Sequence, residues 1–203
     1  MSTPSNTVLQ SPTGPVATGR VAKPNGLWGM LLFVATEATL FGTIFGTYYY
    51  LRFTNAEWPP AGVPLPSVAV PLLLAFVLAA TSAPMAVLSR AAQAGELARA
   101  RAALVAAMVV QAGFFAMQVN LFEDDLAKFQ PQGSSYGSIY FTMLGAHQAH
   151  VAVGLLLDVW LLGKLARGLT SYRVVAAQSI AFYWHFVNLL ALLVVGAQLS
   201  VRV

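Results

Sequence analysis

With 203 residues, of which 58% are hydrophobic and only 9% charged, the chain has too few polar groups to cover a water-soluble fold, where about 25% of residues carry charge. A mean hydropathy of +0.69 makes a bilayer the expected solvent. The absence of cysteine excludes disulfide frameworks, thiolate metal sites and cysteine nucleophiles.

In chain order, residues 1–24 are polar and rich in Ser, Thr, Pro and Gly. They lack the apolar segment of a signal peptide and the arginines of a transit peptide, so they read as a disordered cytoplasmic tail. Residues 25–203 read as one membrane domain. A helix needs about 20 apolar residues to cross a hydrocarbon core of ~30 Å, and five runs meet that requirement: about 27–51, 67–88, 102–122, 136–162 and 174–201. Asn25 is the expected cap of the first, Pro71 and Pro84 are candidates to bend the second, with Pro71 in the first turn where it is tolerated, and Ser134 and Ser135 are the candidate caps of the fourth. None of the runs alternates as a barrel strand does. The predicted fold is all-α, a bundle of five transmembrane helices.

Basic residues set the expected orientation. Arg20, Lys23, Arg90, Arg99, Arg101, Lys164, Arg167 and Arg173 share one side, against Arg52, Lys128 and Arg202 on the other. This predicts N-in and C-out. The net charge of +4 thus reports topology, and a nucleic-acid partner has no support.

Ionisable groups at membrane depth are costly and mark protein interiors. Glu37 lies well inside the first span. On the fourth, His147, His150, Gly154 and Asp158 recur at i, i+3, i+7 and i+11, forming one stripe. On the fifth, Gln178, His185 and Asn188 form another, and on the third Gln111 and Gln118 share a face. These groups predict a buried polar network, with Glu37 either protonated or sharing a proton with His147, and with His185 at the same level. Asp158, nearer a helix end, is expected to snorkel or to pair with Lys164 or Arg167. Three uses for the network stand open: interhelical glue, a proton relay, and a metal or haem site. With three histidines and no paired Glu-x-x-His motifs, the metal reading has the least support. Gly42 and Gly46 match the spacing that lets helices approach closely. Arg52 and Trp58 are candidate lipid contacts.

Three segments carry a resemblance. Trp28-Gly-Met-Leu-Leu-Phe-Val-Ala-Thr-Glu37-Ala-Thr-Leu-Phe-Gly42 resembles the glutamate-bearing helix of haem-copper oxidase subunit III. Tyr136-Gly-Ser-Ile-Tyr-Phe-Thr-Met-Leu-Gly-Ala-His147-Gln-Ala-His150-Val is similar to that family's paired-histidine helix, and Phe182-Tyr-Trp-His185-Phe-Val-Asn188 to its last helix. All three fall in the family's order, and the similarity runs from about Gly26 to the C-terminus, in the short five-helix bacterial form.

The resemblance implies a non-redox, non-catalytic subunit of a proton-pumping terminal oxidase of the cytochrome c type, in a bacterial inner membrane. Its implied partners are the catalytic subunit I, other oxidase subunits and lipids. It implies no cofactor in this chain, haem and copper in partner subunits, and a part in stabilising the catalytic subunit or aiding proton or oxygen delivery. It places Glu37 at the family glutamate, His147 and His150 at the paired histidines, and His185 at the last helix's histidine. Gln178 and Asn188 stand where many members carry Glu and Asp. The alternative is a subunit III-like accessory protein of nitric oxide reductase. From other classes, a haem-b anchor and a small-molecule transporter are the competing readings.

Overall fold

The computed structural model describes residues 25–64 and 69–202. The predicted tail and the predicted start of the second span at Ser67 lie outside these residues. Among those described, the helices are α1 (Asn25–Thr54), α2 (Ala69–Ala80), α3 (Ser82–Gln93), α4 (Leu97–Lys128), α5 (Ser135–Leu165) and α6 (Ser171–Leu199), with short 3₁₀ turns at Pro131–Gly133 and Ser200–Arg202. α2 and α3 together form one span, so five segments are long and apolar enough to cross a membrane.

Several helices outrun the apolar runs that predicted them. At 1.5 Å per residue, the 32 residues of α4 reach about 48 Å, well beyond a ~30 Å core. The backbone ladder therefore continues through Arg99 and Arg101 at one end and Glu123–Asp125 at the other, where headgroups and water accept the charge. The ends are set by caps and turns instead. Ser134 caps α5, its Oγ accepting from the Gly137 amide at 3.0 Å, and Thr170 caps α6, accepting from the Arg173 amide at 3.4 Å. Asn25, expected as a cap, is already helical. At the turns before α4 and α6, Gly95 (φ 78°) and Gly168 (φ 95°) adopt left-handed conformations that a side chain would strain. Arg101 donates to the carbonyl of Leu165, the last residue of α5, and Arg173 donates to those of Arg167 and Gly168, both at 2.8 Å. These basic side chains thus satisfy carbonyls left free at helix C-termini.

The second span runs as one 25-residue segment with a single irregular residue, Thr81, whose backbone stays in the right-handed helical region. Pro84 has no amide proton to give to the carbonyl of Ala80, and its ring crowds that carbonyl. The ladder loses that one bond and resumes at once, the Met85 amide donating to the Thr81 carbonyl at 3.1 Å, while Thr81 turns its hydroxyl back to the Leu78 carbonyl at 2.6 Å. Pro71, in the first turn of α2, causes no break.

α6 is the central helix, packed against α1, α2, α3 and α5. One apolar core gathers Leu78, Met85, Leu88, Leu104, Val151, Leu161 and Trp184. A second, aromatic core near the far end gathers Tyr48, Tyr136, Tyr140 and Phe141, with Trp58 and Phe129 packed on it. Large apolar residues also cover the outside, including Leu32, Phe53, Leu73, Val109 and Leu156, as a lipid-facing surface requires. Since lipid is as apolar as leucine, close packing and interhelical hydrogen bonds hold such a bundle together.

Candidate functional site: polar clusters inside the bundle

The predicted single network is divided into separate sites. The first joins α1 to α5. His150 Nε2 lies 3.0 Å from Glu37 Oε2, and His150 Nδ1 lies 2.7 Å from the Ala146 carbonyl oxygen. A carbonyl only accepts, so Nδ1 carries a proton. One further proton then lies between Nε2 and the carboxyl, and the pair is closed on itself whichever atom holds it. Phe41 packs edge-on against the imidazole at 5.2 Å, and the Tyr183 hydroxyl donates to the backbone carbonyl of His150 at 2.8 Å, tying α6 to α5 there.

The partner of Glu37 is therefore His150 and not His147, which corrects the expected pairing. Positions three apart on a helix differ by about 60° in direction. That is enough to aim His150 at α1 and His147 at the space between α4 and α6. His147 is 2% exposed, and neither of its ring nitrogens has a hydrogen-bond partner among the described residues. Phe114 meets it edge-on at 6.2 Å, and it shares a small cavity with Gln118 and Gln198.

A second cluster sits at the irregular residue of the α2–α3 span. Asn188 Nδ2 donates to Ser82 Oγ at 2.8 Å and to Thr81 Oγ1 at 3.2 Å. Gln111 bridges onward: in one orientation its amide nitrogen is 3.4 Å from Thr81 Oγ1. Turned over, it donates to Asp158 Oδ2 at 3.0 Å and to the Ala107 carbonyl at 3.2 Å. Trp184 Nε1 donates to the same Asp158 oxygen at 2.9 Å.

Asp158 is fully buried, so it neither snorkels nor pairs with Lys164 or Arg167. Lys164 instead lies 5.4 Å over the Trp160 ring. What holds Asp158 inward is Gly154, one turn earlier. A Cβ there would lie 2.6 Å from the Trp184 ring, so the missing side chain gives the indole room to reach the carboxyl. Sequence reasoning had Gly154 and Asp158 on one stripe but missed Thr81, Ser82 and Trp184. The proline three residues after Thr81 was the available signal, since a lost ladder bond attracts side-chain donors.

His185 and Gln178 leave the expected network altogether. His185 is exposed, and both line an outward groove with Arg90, Ser89 and Phe182. Asn188, about 60° around α6 from His185, alone of that stripe turns inward. Among the expected lipid contacts, Arg52 lies 5.8 Å over the Phe53 ring. Trp58 is packed edge-on against Tyr48 at 5.6 Å and Tyr136 at 5.1 Å, with its ring nitrogen buried. Among the described residues nothing approaches a Cβ at Gly42 or Gly46 within 4 Å, so none of the described helices uses that pair. Among the described residues, no three His, Asp or Glu side chains converge as metal ligands would.

The fold and these clusters define a five-span helical membrane protein with a closed Glu–His pair between its first and fourth spans. The family model for cytochrome c oxidase subunit III matches residues 17–197, and the chain belongs to that family. It is 31% identical over 169 residues to the cytochrome bo(3) ubiquinol oxidase subunit 3 of Pseudomonas aeruginosa, covering 81% of this chain and 79% of that protein. It is 32% identical over 171 residues to cytochrome c oxidase subunit 3 of Pelomedusa subrufa, covering 80% of this chain and 64% of that one. Against the Coturnix japonica protein of the same name the values are 29% over 170 residues, 80% and 64%. The aligned region thus spans less than two thirds of these two animal relatives.

Proposed function

We propose that this chain is the subunit III of a proton-pumping haem-copper terminal oxidase in a bacterial inner membrane, and that it carries no redox centre of its own. The match of the family model across residues 17–197, which takes in all five spans, carries the reading. The divergence of the three histidines supports the cofactor-free part. His150 is committed to Glu37, His147 faces an internal cavity, and His185 faces outward. In this reading haem and copper reside in partner subunits, chiefly the catalytic subunit I. The polar clusters fix how the spans dock, so that the chain presents a rigid face to that partner and steadies it during turnover. The Glu37–His150 pair retains one proton inside the membrane and is the residue pair through which any role in proton delivery would run.

Purification through an affinity tag on this chain tests the proposal. A copurifying catalytic subunit with haem and copper is the expected result. A partner containing non-haem iron and no copper would assign the chain to nitric oxide reductase instead. Recovery of the chain alone, with a haem band or with uptake activity in liposomes, would overturn both.

A further inference from the structure

Three buried polar atoms surround one small cavity, and their geometry defines what fits it. The cavity lies between α2, α4, α5 and α6, with His147, Gln118 and Gln198 as its polar lining and Pro71, Ala75 and Phe114 among its apolar walls. His147 is 2% and Gln198 is 3% exposed. Both imidazole nitrogens and Gln198 Oε1 are buried without a hydrogen-bond partner among the described residues. Most buried polar side-chain atoms in folded proteins have a hydrogen-bond partner, protein or water, and the cost of leaving them unpaired rises in a low-dielectric interior.

The orientation of Gln198 follows from its neighbours. The Tyr140 hydroxyl donates its one proton to Asp125 Oδ2 at 2.6 Å, so its oxygen can only accept from Gln198. Gln198 therefore presents its Nε2 to that oxygen, at 3.4 Å, and must aim Oε1 the other way. Asp125 is in turn held by Lys128 at 3.3 Å, at the water-facing end of α4. The sequence Lys128, Asp125, Tyr140, Gln198 thus runs inward from the surface and ends on an acceptor.

We propose that this cavity is a built water site, in which a single water donates to Gln198 Oε1 and bonds a ring nitrogen of His147. The volume open to a water's centre is about 10 Å³, close to what one water needs. That excludes a lipid chain or a hydrated ion. The side chain of Gln118 lines the remaining side and supplies the third partner that buried waters commonly have. The water ties α5 to α6 and extends the surface series from Asp125 to the histidine at mid-membrane. The site depends on the geometry of this chain and not on which oxidase it serves.

Electron cryomicroscopy of the membrane complex purified through this chain, at a resolution where internal waters are visible elsewhere, tests the site. The expected result is a density peak about 2.6–3.2 Å from both Gln198 Oε1 and one nitrogen of His147. That peak is lost in Gln198→Leu and kept in Glu37→Gln. An absent peak in the wild type, or a protein or lipid group against both His147 nitrogens, overturns the proposal. So does a peak that survives Gln198→Leu. If Gln198→Leu does not assemble, the wild-type density alone decides.

Discussion

Glu37 and His150 are 113 residues apart in sequence and 3.0 Å apart in space, and among the described residues each is the other's charged or ionisable side-chain partner. Removing one partner strands the other in a medium that offers no substitute. Glu37→Gln and His150→Phe should therefore be strongly non-additive in reversible unfolding in mixed detergent, with a coupling of about 0.5–2 kcal/mol. Glu37→Gln with His147→Phe should be additive. A coupling to His147 in place of His150 would contradict the geometry. Infrared difference spectra should lose a feature of the shared proton in Glu37→Gln, and unchanged spectra would argue against one. Gly154 gives a second residue-scale test. Gly154→Ala should drive the Trp184 indole off Asp158, cost on the order of 1–3 kcal/mol and alter tryptophan fluorescence. Gly42→Ala, with nothing within 4 Å, should do neither. That the paired histidines share a helix face was legible from spacing. Which of them faces α1 was not, because the 60° between them resolves only once the neighbouring helices have positions.

At the scale of the element, the five spans were legible because hydrocarbon demands long apolar helices and little else produces such runs. Their ends were not, since a helix persists past the hydrocarbon wherever its own backbone ladder can continue, as α4 does from Leu97 to Lys128. The irregularity at Thr81 was half legible. Pro84 announced a disturbance, but the sequence could not say that Asn188 would gather on the hydroxyls of Thr81 and Ser82 inside the bundle. Thr81→Val keeps the shape and removes that oxygen, leaving Asn188 Nδ2 with Ser82 alone. It should lower unfolding stability by about 0.5–2 kcal/mol, and it should cost much less in an Asn188→Leu background. Equal costs in both backgrounds would mean that the hydroxyl does not bond Asn188.

For the whole molecule, polarity is arranged from the outside in. Leucine, valine and phenylalanine face lipid, while Asp158, Gln111, His147 and Asn188 lie in the interior. Composition foretold the solvent, and periodicity foretold that polar stripes would face inward. His185 and Gln178 are exceptions, and only the packing of α3 and α1 around α6 reveals the outward groove they line. Orientation remains a prediction of charge placement. Because the chain has no cysteine, single introduced cysteines report it cleanly. Ala94→Cys should resist a membrane-impermeant thiol reagent in intact cells, and Gln132→Cys should react; the reverse pattern would mean C-in and N-out.

The most direct test of the account is turnover of the same oxidase purified with and without this chain. A supporting subunit without redox centres predicts unchanged haem and copper content and a near-normal initial rate, followed by progressive loss of activity during turnover. Loss of a metal centre, or no activity from the first turnover, would place chemistry in this chain and contradict the account.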